Sequence, residues 1–341
     1  MKSAASHQTN NKLFRNPVMF IQKQGAFIAL ILLIIFASIK YDNFLTSVNI
    51  INILKQNSMI GLVAIGMTFV ILMKGIDLSV GSLLALGGVM AASLSSYGIL
   101  AALLVPILIT TFLGCINGWI IAKLKMEPFI VTLAMMIGVR GFIYVFTEEK
   151  TVSVAVQHKQ FFIDLGNGAF IGIPNSVWIF VITLALASFI LHQTKFGRNV
   201  YAIGGNEDAT RLMGIRVDRM KIMVYALNGA LAGFTGILLA GRLGGAAQPV
   251  AGNAWELDAI AAVVIGGTLL VGGRGGVFGT FVGVMLLGVV LNVINLQGTL
   301  DSWWQPVIRG AFLLAIVIIQ AQLMKQQRVF KKKNIEHVQP R

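Results

Sequence analysis

The chain has 341 residues, of which 56% are hydrophobic and 12% charged, with a net charge of +14 and one cysteine. A soluble domain carries about 25% charged residues, so these side chains cannot cover a water-facing surface, and lipid is the solvent that fits. The positive charge does not imply nucleic acid, because no basic patch is interleaved with aromatics. Cys115 lies inside an apolar run, with no partner for a disulfide and no metal-ligand spacing.

In chain order the apolar segments are Gly25–Ile39, Ser58–Met73, Leu78–Ser96, Gly98–Ala122, Pro128–Phe146, Ser176–His192, Ile222–Gly241, Leu257–Val271, Gly276–Leu296 and Gln305–Met324. Residues 1–24 read as a polar, basic N-terminal tail, and Gly25–Ile39 as the first membrane helix, since no small-x-small cleavage site follows it. The fold class expected is an all-α integral membrane protein of about ten transmembrane helices over residues 25–324. Leu257–Val271 is short of the roughly 20 residues of a full span and reads as broken or re-entrant.

Charge orients the segments. With the N-terminus inside, twenty lysines and arginines fall in inside loops and five outside: Lys40, Lys55, Lys150, Lys159 and Arg242. Arg140 and Arg309 fall within helices. This bias places both termini in the cytoplasm and makes the helix count even. It also puts the mixed loop 147–175 outside, and the charged loop 193–221 and the basic tail 325–341 inside, the tail near anionic lipid.

The chemistry of an enzyme is missing. No glycine is followed by lysine, so there is no P-loop. None of His7, His158, His192 and His337 has metal-ligand spacing, and there is no nucleophile elbow. No cofactor, metal or catalytic residue is expected. A proton-coupled carrier needs carboxylates deep in helices, and the candidates are few. Asp77 stands at a loop edge, and Glu256 and Asp258 open a helix.

Asp77, with Ser79 and Gly81, reads either as an N-cap of the following helix or as part of a gate or subunit contact. The pairs Gly114/Gly118, Gly229/Gly233 and Gly279/Gly283 let helices approach closely, within one subunit or across a dimer seam. Asn57, Asn117, Asn228 and Asn292 read either as interhelical hydrogen bonds or as lining of a path for a neutral solute. In the inside loop, Asn206 is placed to cap a short helix from about Glu207 to Met213, with acidic residues at its positive end and Gly214 as its stop. Such a helix serves as a docking element or as a plain connector.

Three stretches carry a resemblance: GMTFVILMKGIDLSVGSLLALGG (66–88), AIGGNEDATRLMGI (202–215) and ELDAIAAVVIGGTLLVGG (256–273). Together they resemble the ribose-type permeases of bacterial ATP-binding-cassette sugar importers, over roughly Asn43 to Val317. Permeases for galactose, xylose, allose or autoinducer-2 are similar, so those solutes remain alternatives. An ion-coupled carrier is a more distant one.

The resemblance implies an inner-membrane permease subunit that does no bond chemistry. Its implied partners are a second copy of itself, a cytoplasmic ATPase and a periplasmic sugar-binding protein. It makes Gly204, Gly205, Asn206, Glu207, Ala209, Thr210, Arg211 and Gly214 the element that couples to the ATPase. It groups Asp77, Ser79, Gly81, Glu256, Asp258, Gly266 and Gly267 as a gating or structural motif. One departure is the run Gly272-Gly273-Arg274-Gly275-Gly276, which is richer in glycine than the family pattern.

Overall fold

The computed structural model describes residues 17–298 and scattered positions between 304 and 322. Helices α1 (Pro17–Lys40), α2 (Ser47–Leu72), α3 (Val80–Leu94), α4 (Ile99–Lys123) and α5 (Pro128–Thr147) come first. The next connection holds β1 (Val152–Ser153), α6 (Val156–Asn167), β2 (Ala169–Phe170) and β3 (Ile173–Pro174). Then follow α7 (Asn175–Gln193), α8 (Lys195–Gly205), α9 (Glu207–Leu212), α10 (Val217–Arg242), β4 (Ala246–Ala247), α11 (Trp255–Ile265) and α12 (Val277–Gln297).

The chain is predominantly helical, and seven described helices are long and apolar enough to cross a membrane. These are α2, α3 with its continuation to Tyr97, α4, α5, α7, α10 and α12. The apolar part of α1, Gly25–Lys40, is shorter. Half of the positions of Gln305–Met324 are described, as helix, while Arg309 and the basic tail lie outside the described residues.

Helix α1 begins at Pro17, inside the stretch read as a tail, and α2 begins at Ser47, well before the apolar run at Ser58. Thr46 starts α2 by accepting the N–H of Asn49 on its hydroxyl. The early turns of α2 are polar, yet Asn49 exchanges two amide hydrogen bonds with Asn292 of α12, at 3.1 and 2.6 Å. Residues 57–72 of α2 are buried on every side, so this helix is the axis of the bundle.

Helix α10 packs along α4, α3 and α2. Its glycines make that possible. A Cβ on Gly229 would overlap the carbonyl of Thr110, and one on Gly233 the Thr110 hydroxyl. On α4, a Cβ on Gly114 would overlap the carbonyl of Tyr225. Gly279 and Gly283 face Gly266 and Ala262 in the same way. All three small-residue pairs are therefore used within one subunit.

The outer rim is apolar. Leu100, Leu104, Leu108 and Phe112 form an exposed stripe along α4, and Val181, Ile182, Leu186 and Phe189 do the same on α7. Stripes of this kind are unfavourable in water and natural against lipid.

One connection between crossings is buried, and one crossing is interrupted. Residues 73–79 leave the end of α2 as turns and extended chain before α3 starts, and residues 248–254 are non-helical before α11 starts. Helix α11 has 11 residues, which at 1.5 Å each rise about 16 Å, roughly half a 30 Å hydrocarbon core. The segment expected to be short thus holds a helix too short for a full span. At the end away from α8 and α9, β4 pairs antiparallel with β1 (Val152 opposite Ala247, Ser153 opposite Ala246), which anchors the entry to the interruption.

Candidate functional site

The loop 193–221 folds as two short helices and a turn. Thr194 opens α8 by accepting the N–H of Gly197 at 3.2 Å. Asn206 ends α8 and opens α9, its Oδ1 accepting the N–H of Ala209 at 3.0 Å. The Thr210 hydroxyl donates to the Asn206 carbonyl at 2.7 Å. Gly214 follows with φ +80°, a left-handed turn that suits glycine.

Charge braces this unit against the bundle. Arg211 donates to Asp218 of α10 at 2.9 Å and pairs with Glu207 at 3.3 Å. Lys221 of α10 reaches Glu207 at 2.9 Å, and Lys123 of α4 reaches Asp218 at 3.1 Å. The hydrogen bond to Asp218 raises the Arg211 guanidinium above its ordinary range, so it stays charged. Single exposed pairs are worth little, but four pairs sharing two carboxylates form a network that fixes geometry.

The tip of the unit is apolar and open. Leu212 is 90% exposed and Met213 77%, while Thr210 is buried and Ala209 half-buried. Sequence reasoning missed this pair, although two bulky apolar residues directly before a helix-stopping glycine were the available signal. It also missed α8 as a helix.

Below the tip, α8 lies on the bundle floor. A Cβ on Gly204 would overlap the carbonyl of Leu72 at the end of α2. That carbonyl accepts the N–H of Gly273 at 2.9 Å, and the Tyr201 hydroxyl donates to the Gly275 carbonyl at 2.8 Å. The extra glycines now have a reason. Gly272, Gly273 and Gly275 all have positive φ, which lets the turn after α11 fold under α8 and the end of α2. Gly205 has open space beside it.

Inside the bundle a polar cluster surrounds the connection from α2 to α3. Asp77 is fully buried. Its Oδ1 accepts the N–H of Ser79 at 2.9 Å and the Ser79 hydroxyl at 2.6 Å. Its Oδ2 accepts from Nδ2 of Asn228 on α10 at 2.8 Å. Asn117 of α4 donates to the Ser79 hydroxyl at 3.0 Å. The Asp77 carboxylate therefore ties the start of α3 to α10, and the Ser79 hydroxyl ties it to α4. Asn57 is also buried, against Gly288 of α12.

The start of α3 meets the segment before α11. Gly81 packs against the Gly252 carbonyl and against Oε2 of Glu256, which is buried without a hydrogen-bond partner. Asp258, two residues further along α11, is also buried. Gly266 ends α11 against Gly279, and Gly267 turns the chain with φ +89°. Arg140 of α5 donates to the carbonyls of Pro249 and Ala251, both at 2.8 Å, and so holds the segment before α11. Asp77, Ser79, Gly81 and Glu256 thus come together, while Gly204–Gly214 forms a separate unit at one end. Among the described residues there is no group that could hold a metal ion.

Comparison with known proteins follows this geometry. Residues 49–317 match the family model described as the branched-chain amino acid transport system / permease component. The chain is 44% identical to the ribose import permease protein of Haemophilus influenzae, over 88% of this chain and 93% of the relative. It is 44% identical to the ribose import permease protein of Bacillus subtilis, over 88% and 92%. It is 34% identical to the D-allose transport system permease protein of Escherichia coli, over 91% and 95%. No solved structure matches the chain. A bundle with lipid-facing stripes, an interrupted crossing and a braced terminal helix pair, matched over most of its length, belongs to the permease-component family of branched-chain amino acid type transport systems.

Proposed function

We propose that the chain is the membrane-spanning subunit of an ATP-driven importer that moves a monosaccharide, ribose first, across the bacterial inner membrane by alternating access. The relatives named for ribose import, at 44% identity over nearly their whole length, support the sugar class. The observation that carries the mechanism is the open apolar tip, Leu212 and Met213, on a unit braced by four ion pairs. A rigid element with an uncovered apolar end is built to be gripped by another protein.

On this reading Gly204–Gly214 sits in a cytoplasmic ATPase, and its displacement reaches the membrane through Gly204, Leu72 and Gly273. The chain carries no catalytic residue of its own. A second copy and a periplasmic binding protein complete the assembly, with about ten spans per copy and both termini in the cytoplasm. Asp77, Ser79, Gly81, Glu256, Asp258, Gly266 and Gly267 form the structural motif around the buried connection and the interrupted crossing. Asn57, Asn117, Asn228 and Asn292 serve as polar joints beside the path. A neutral sugar needs hydrogen-bond partners rather than fixed charges to pass.

Cells lacking other ribose uptake systems, supplied with this chain, its ATPase and its binding protein, should accumulate labelled ribose. Unlabelled ribose should compete better than allose, galactose or xylose. Uptake that stops with a protonophore while ATP is held constant would identify an ion-coupled carrier instead. Reporter fusions test orientation: one after Arg341 should read cytoplasmic and one at Asp164 periplasmic, and the same side for both would refute the topology.

A further inference from the structure

The non-helical segment before α11 leaves an exposed face that is partly polar. Residues 248–254 are non-helical and lie between β4, at the end away from α8, and α11, which is too short for a full span. Irregular backbone at membrane depth is tolerated only where protein buries it or where it lines a water-filled cavity. Here Gln248 and Asn253 are exposed, as are Val250 between them and Leu257 in the first turn of α11.

Arg140 independently marks the same face. It stands 12 residues into α5 from Pro128, about 18 Å up the helix and just past mid-membrane. A guanidinium has five N–H donors. The two hydrogen bonds to Pro249 and Ala251 both come from Nη1, which leaves Nη2 and Nε unspent. Arg140 is half-buried, so part of this charge is open. Just behind it lies the buried Glu256, whose Oε2 has no hydrogen-bond partner. A charge and two amide side chains facing lipid at this depth would be costly, whereas facing water they are not. Discontinuous helices are also where transporters place solute sites.

We propose that the face formed by Arg140 and residues 248–254 is a wall of the sugar passage. There the unspent guanidinium N–H groups, Asn253 and Gln248 exchange hydrogen bonds with the hydroxyl groups of a neutral sugar in transit. This rests on the importer reading above and names the surface that reading lacks. The wall lies between α5 and α11.

The test uses the full complex, with its ATPase and binding protein, in a Cys115→Ala background. Asn253→Cys and Gln248→Cys should react with a membrane-impermeant methanethiosulfonate at least about tenfold faster than Leu104→Cys on the lipid-facing stripe, because the reactive thiolate forms only where water reaches it. Sugar-loaded binding protein with trapped nucleotide should slow that labelling. Asn253→Leu should cut uptake about tenfold, the worth of one hydrogen bond, with ATPase stimulation kept.

Labelling as slow as that of Leu104→Cys in both nucleotide-free and nucleotide-trapped complexes would overturn the proposal. So would a spontaneous disulfide between the two copies at position 253, or normal uptake by Asn253→Leu. If the unmodified complex imports no sugar, the importer reading fails first. If import is intact and labelling slow, only this face is misassigned.

Discussion

Replacing Leu212 and Met213 together by glutamate should abolish sugar uptake while the protein reaches the membrane at its normal level. Both side chains are almost wholly exposed, so the change removes no packing inside the chain. Folding should be unaffected to within about 0.5 kcal/mol, as for ordinary surface changes. The loss falls on the partner contact, where two apolar anchors become two carboxylates that must be desolvated on docking. Burying an apolar side chain of this size is worth about 1.5–3 kcal/mol, so two lost anchors lower affinity for the ATPase by at least about a hundredfold.

Gly214→Pro should act at the same place by another route, since proline fixes φ near −65° where the chain needs +80°. ATPase activity stimulated by loaded binding protein, measured beside uptake, separates the cases. Normal stimulation in the double glutamate variant would show that the tip is a connector.

The second large effect is expected at Asp77. Asp77→Ala leaves the Ser79 N–H, the Ser79 hydroxyl and the Asn228 amide without their acceptor in a fully buried site. Each unpaired buried donor costs about 1–3 kcal/mol, so folded protein should be largely lost. Asp77→Asn keeps an oxygen for Ser79, and an amide flip at Asn228 can meet the new N–H, so most folded protein and uptake should remain. Monodisperse protein recovered in detergent, and uptake per folded molecule, read the two effects apart. An ion relay predicts the reverse for the second variant: normal folding with uptake abolished.

The long apolar segments were readable because membrane crossing demands run length, and run length is a local property of the sequence. Eight of the ten segments coincide with described helices, Leu257–Val271 is helical only to Ile265, and half of the positions of the tenth are described, as helix. Where polarity entered a helix, the reading failed. The start of α2 was missed because Asn49, Asn52, Lys55 and Gln56 interrupt the apolar run, whereas Asn49 is matched by Asn292 far along the chain. Helix α6 and the two strand pairs of the opposite connection have too little apolar pattern to stand out.

At the site, the local chemistry was legible: the Asn206 cap and the turn at Gly214 depend on neighbours in sequence. The contact of Gly81 with Glu256, the tie from Asp77 to Asn228 and the floor made by Gly204, Leu72 and Gly273 were not. Each joins residues far apart in the chain, and only the packing of α3, α10 and α11 creates them. The exposure of Leu212 and Met213 belongs to the same class, since composition alone would have buried them.

The central claim is ATP-driven sugar import by this chain with a separate ATPase, and proteoliposomes test it most directly. Vesicles should hold the purified permease with ATP enclosed beside the ATPase, and receive ribose-loaded binding protein outside. They should accumulate labelled ribose against its gradient, with no ion gradient imposed, and should stop when the ATPase or the ATP is left out. Accumulation without the ATPase, driven by a proton or sodium gradient alone, would contradict the account.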